Sequence, residues 1–143
     1  MIVRTYSLKE GDLFLRLAAI AFVLAGLLHL TLGLGADILL GAKLPPEVVR
    51  DPVLDSQNRF YGTAFTIYGV LFALGASDLK RHSLVLQCCF WCFFAGGIAR
   101  FVSMGVVGKP SPMVLALTAS ELLLPPLLAL WLRHATTRLK RMG

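Results

Sequence analysis

Four apolar runs dominate this sequence: Leu13 to Leu34, Arg59 to Ala76 with a polar lead-in from Pro52, Leu84 to Gly108, and Pro112 to Leu132. Each is at least about 18 residues long, enough for a helix to cover roughly 30 Å of hydrocarbon. A bilayer leaves no water for unpaired backbone groups, so a spanning segment of this kind folds as a helix. The 57% share of hydrophobic residues is well above that of soluble domains, and the connections are too short to hold a further domain. The expected fold is therefore all-α, an integral membrane four-helix bundle forming one domain over residues 1–143.

The formal net charge of +6 could point to nucleic acid, so the position of the charges has to decide. Arg4, Lys9 and Arg16 precede or open the first run, Lys80 and Arg81 lie between the second and third, and Arg133, Arg138, Lys140 and Arg141 follow the fourth. With four spans these clusters share one side. The other side carries Lys43 and Arg50, diluted by Asp37, Glu47 and Asp51, together with Lys109. The positive-inside rule puts both termini in the cytoplasm, and the basic tail reads as a topology signal and a contact for anionic lipid, with no nucleic-acid partner. The expected location is the bacterial inner membrane. The first run follows basic residues as a signal peptide would, but it is long, contains His29 and leads to no small-x-small cleavage pattern before Asp37, so it reads as an uncleaved helix.

Several local signals refine this plan. Ala25, His29 and Gly33 repeat at i+4 in the first run, a small-residue stripe that lets a neighbouring backbone approach; Gly62, Thr66, Gly69 and Ala73 form a similar ridge in the second. Gly35 to Arg50, with Pro45 and Pro46, reads as the one sizeable loop. Asp51 followed by Pro52 is a cap and first-turn pair for the second helix, and Ser111 with Pro112 serves the fourth in the same way. Pro125 and Pro126 remove backbone donors about one turn beyond Glu121, which predicts a kink or local loosening.

Chemistry concentrates at one depth. Counting about 1.5 Å per residue from the outer turn, Arg100 lies roughly 12 Å back along the third helix and Glu121 roughly 13 Å along the fourth. Ionisable groups at such depth are costly unless paired, so an ion pair between these antiparallel neighbours is expected. His29, Asp55, Gln57, Asn58, Arg59 and Tyr61 fall in the same outer half, and Asp55 and Arg59 stand at i and i+4, the favourable order for a same-helix pair. This suggests a polar pocket opening outward. Arg100, Glu121, Arg59, Asp55, Gln57, Tyr61 and His29 are its candidate ligand-binding residues, and Glu121 and His29 are the candidate proton donors or acceptors for any catalysis. Cys88, Cys89 and Cys92 sit among Phe90, Trp91, Phe93 and Phe94 with no His or carboxylate at their depth, so they read as packing residues, neither a disulfide framework nor a metal site.

The blocks Leu54 to Gly62 (LDSQNRFYG), Gly96 to Arg100 (GGIAR), Gly108 to Pro112 (GKPSP) and Glu121 to Pro126 (ELLLPP) resemble a family of small bacterial membrane proteins known as domain of unknown function 4345. The resemblance covers the last three helices and implies a four-helix architecture without supplying a mechanism. Asp55, Gln57, Arg59, Gly97, Arg100, Pro112 and Glu121 are the positions that coincide with its motif. The function expected from the sequence is binding, with or without modification, of a lipid or amphiphilic small molecule in the outward pocket. The alternatives are a non-catalytic accessory or assembly subunit, partnered by itself or by another membrane protein, and an oligomeric proton-coupled transporter. No nucleophile has an evident activating neighbour, so the sequence decides neither for nor against catalysis, and it calls for no metal or other cofactor.

Overall fold

The computed structural model describes residues 2–142, with side chains from 11 to 138. Arg4, Lys9, Lys140 and Arg141 of the charge pattern therefore lie outside the described side chains. Six helices follow one another: α1 (Ile2–Leu32), α2 (Leu34–Leu39), α3 (Pro46–Val49), α4 (Pro52–Ser77), α5 (Ser83–Val107) and α6 (Pro112–Met142). Among the described residues there is no strand. Among the described residues four segments are long and apolar enough to cross a membrane: Gly11–Leu32, Pro52–Ser77, Ser83–Val107 and Pro112–Arg138. Along them large apolar side chains stand exposed, among them Leu24, Ile67, Phe101, Val106 and Leu127. A soluble monomer does not present so much contiguous apolar surface, whereas lipid tails cover it at no cost. The chain has the helices and the surface of a membrane protein.

By its contacts the chain divides into two compact units, with the boundary between Ala76 and Ser77. The first unit is organised by glycine. A Cβ placed on Gly62 of α4 would stand 2.7 Å from the Leu30 nitrogen and 2.8 Å from the Gly26 oxygen, and one on Gly69 would stand 2.7 Å from the Ala19 oxygen. Position falls along α1 as it rises along α4, so the two helices are antiparallel and meet backbone to backbone. Without a hydrophobic driving force between helices in lipid, such close approach is how van der Waals contact is gained. Phe22 of α1 extends the contact, with ring centroids 6.0 Å from Phe65 and 5.4 Å from Phe72.

The first span departs from its sequence reading at its end. The helix stops at Leu32, Gly33 takes φ 55°, and α2 begins at Leu34. Gly33 supplies the left-handed turn that a side chain disfavours and also lies close against α4, since a Cβ there would fall on the Asp55 carboxylate; Gly26 makes a further close approach, to Gly62 and Thr66. The expected loop is also more structured, since it contains most of α2 and all of α3. Asp51 caps α4 as expected, its Oδ1 accepting from the Val53 nitrogen at 2.8 Å and the Leu54 nitrogen at 3.2 Å.

In the second unit α5 and α6 form a packed hairpin joined through Gly108. Gly97 faces α6 closely: a Cβ there would lie 3.0 Å from Glu121 Cβ and 3.1 Å from its carbonyl carbon. Helix α6 runs unbroken through Pro125 and Pro126, so any loosening there does not end the helix.

Candidate functional site

Two polar clusters stand out, one in each unit. The first surrounds the break between α1 and α2. Arg59 Nη1 donates to the Leu30 oxygen at 2.6 Å and the Thr31 oxygen at 3.2 Å, while its Nε donates to Asp55 Oδ2 at 2.7 Å. Asp55 Oδ1 in turn accepts from the Leu34 nitrogen at 3.3 Å. Helix ends leave carbonyls and N–H groups unsatisfied, and here one ion pair serves both ends of the interruption: arginine takes the last carbonyls of α1 and aspartate the first amide of α2. The pair that the i, i+4 spacing suggested exists, and its partners across the break show why its geometry is fixed. Replacing Arg59 by leucine should lower the thermal midpoint and increase amide exchange at Leu34 and Gly35. Arg59→Lys should rescue little, because one ammonium cannot reproduce the guanidinium fork; full rescue by lysine would show that charge alone matters.

His29 lies against the same junction and is 8% exposed. Its Nδ1 stands 2.7 Å from the Ala25 oxygen, which can only accept, so Nδ1 carries a proton. Nε2 faces Asp37 Oδ1 at 3.7 Å. Asn58 Nδ2 donates to the other oxygen, Asp37 Oδ2, whereas Asn58 Oδ1 is buried without a hydrogen-bond partner. Asp37 entered the sequence reading only as a loop charge. The signal that could have placed it is Gly33 and Gly35 flanking a helix start, with a carboxylate two residues further on.

The second cluster is the pair between Arg100 and Glu121. Arg100 Nε lies 2.9 Å from Glu121 Oε2, with the arginine side chain 40% and the glutamate side chain 14% exposed. Oε2 is buried, and the contact is an ion pair between the two helices. Seven residues separate Arg100 from the end of α5 and nine separate Glu121 from the start of α6, depths of about 10 and 13 Å. Gly97, one turn from Arg100, is what lets the α6 backbone come close enough for the pair to form. Arg100 Nη1 and Nη2 make no hydrogen bond to any described residue.

Gln57 and Tyr61 are exposed, one turn apart on α4, and away from the glycine ridge; Tyr61 makes an edge contact with Phe60 at 6.2 Å. His29, Asp55 and Arg59 are thus brought together at the α1–α2 junction, and Arg100 with Glu121 on α5 and α6. Cys89 is buried and Cys88 and Cys92 are exposed, all three as free thiols. Among the described residues no three His, Cys, Asp or Glu side chains gather as metal ligands would.

With no strand and four helices able to cross a bilayer among its described residues, and ion pairs set inside them, the chain is of the class of small helical membrane proteins. Over residues 12–132 it matches the model of one family, described as Domain of unknown function (DUF4345), and it belongs to that family. No curated protein and no solved structure matches it.

Proposed function

We propose that this protein binds an amphiphile whose anionic or carbonyl-bearing head meets Arg100, in the outer half of a bacterial inner membrane with both termini cytoplasmic. The observation that carries the reading is the state of the Arg100 side chain: paired through Nε with Glu121, 40% exposed, and with terminal nitrogens that hydrogen-bond to none of the described residues. In hydrocarbon an unsatisfied donor on a charged group costs several kcal/mol, roughly what makes intramembrane arginines rare. A head with acceptor oxygens removes that cost, and its chains replace lipid along the exposed apolar flanks of α5. Arg59 is a weaker partner for such a head, because Leu30, Thr31 and Asp55 already occupy its guanidinium. The proposed orientation follows from the lysines and arginines at residues 80, 81, 133 and 138.

Native mass spectrometry of the detergent-purified protein tests the reading. The native sequence should retain an oxygen-rich amphiphile that Arg100→Leu loses, and a reporter fused after Gly143 should be active only in the cytoplasm. Equal retention by both proteins would remove the binding function, and a periplasmic reporter signal would invert the topology.

A further inference from the structure

Arg100 closes a row of small residues on α5. Cys88, Cys92, Gly96 and Arg100 follow one another at i+4, which places them one above the other on a single face of the helix. Cys88, Cys92 and Gly96 are exposed, and nothing lies within 4 Å of a Cβ built on Gly96. Ala95 and Ala99, beside the row, are exposed as well, so the surface stays low over the middle of the helix. Gly97, the next residue, is spent differently, since it packs against Glu121 of α6. From Cys88 to Arg100 the row runs for about 18 Å, the reach of a long alkyl chain. At its end stands a guanidinium whose Nε is 2.9 Å from Glu121 Oε2 and whose terminal nitrogens hydrogen-bond to none of the described residues.

We propose that the ligand of this site is a single-chain lipid with an uncharged carbonyl head, its oxygen accepting from the Arg100 terminal nitrogens and its chain lying along Gly96, Cys92 and Cys88. The charges decide the head. Arg100 and Glu121 already neutralise each other, so what the guanidinium still lacks is an acceptor and not an anion. A second negative charge would be repelled by Glu121 while Arg100 attracts it, and its own desolvation would go uncompensated. A long-chain ester, amide or ketone therefore fits, a fatty acid fits in its protonated form, and a phosphate or sulfonate head does not. The arginine also decides against a second helix on the row, the ordinary use of small residues in a membrane. A spanning helix commits its backbone carbonyls to its own ladder and would leave the Arg100 donors unmet. The inference rests on the reading of Arg100 as an amphiphile site and narrows its ligand; it lies wholly within the second unit.

Two probes with the same alkyl chain test the head: methyl palmitate, which is neutral, and hexadecanesulfonate, which is always anionic. Each is added to the full chain in detergent, and the retention that Arg100→Leu abolishes is scored by native mass spectrometry, which also reads the oligomeric state. The native sequence should retain the ester over the sulfonate by about tenfold, because only the sulfonate brings an unpaired charge. Glu121→Gln keeps the size of the side chain but frees the Arg100 charge, and should reverse that order. Gly96→Leu, which has room at its Cβ, should leave the Arg100 to Glu121 pair in place and lose the ester by filling the row. Arg100-dependent retention of the sulfonate over the ester would overturn this inference and leave amphiphile binding standing. Retention of neither probe by the native sequence would remove both. A dimer that Gly96→Leu dissociates, with no ester bound, would give the row to a second copy of the chain and overturn the inference as well.

Discussion

Gly62→Ala should destabilise the protein by about 1–3 kcal/mol, although it adds a single methyl group and favours helix. The added Cβ would stand 2.7 Å from the Leu30 nitrogen, 2.8 Å from the Gly26 oxygen and 3.0 Å from His29 Cβ. Two of those neighbours are backbone, which cannot turn aside as a flexible side chain could, so α1 and α4 must separate. Separation weakens the Gly69 contact to Ala19 and Val23 and displaces the Arg59 fork from the α1 carbonyls. Gly96→Ala is the matched control. Nothing lies within 4 Å of a Cβ at Gly96, so the same substitution should be neutral or stabilise by up to about 1 kcal/mol. Thermal unfolding in one detergent, followed by helical circular dichroism, compares the two; equal midpoints would show that the α1–α4 approach is looser than described.

The second large effect concerns Arg100 and Glu121. Glu121→Leu should cost about 3 kcal/mol, because it strands an arginine in a low-dielectric setting with no counter-charge. Arg100→Leu should cost a similar amount, leaving a buried carboxylate oxygen without its counter-charge. We place both at the lower end of the range for buried pairs, since Arg100 is 40% exposed and can reorient towards the headgroups. The double variant should recover most of the loss, as removing both charges leaves nothing to neutralise. Stability and amphiphile retention together then separate structure from function. A pair that only fixes helix register gives a double variant that is stable and retains what the native protein retains; a binding site gives one that is stable and empty. Additive losses would mean that the two residues do not interact.

Much of this was legible along the chain because the governing physics is local or one-dimensional. Span length sets the number of crossing helices, composition sets the solvent, and the turn between α5 and α6 is so short that equal depth put Arg100 beside Glu121. The pair between Asp55 and Arg59 followed from one turn of helix, and the α4 start from Asp51 and Pro52. The glycine ridge at Gly62 and Gly69 was visible, though its partner was not. What makes α1 stop at Leu32, and what Asp37 does, could be decided only by the tertiary structure. Arg59 reaches carbonyls 28 and 29 residues away, and Asn58 reaches Asp37 across 21. Such contacts leave no periodicity to read, because they depend on the angle at which a chain turns at one glycine. Sequence by itself determined that this protein has four helices able to cross a membrane and which charges would be expensive there. Only the folded chain decided which charges are met: Arg59 and Asp55 by the ends of two helices, Arg100 and Glu121 by each other, and Asp37 by the Asn58 amide.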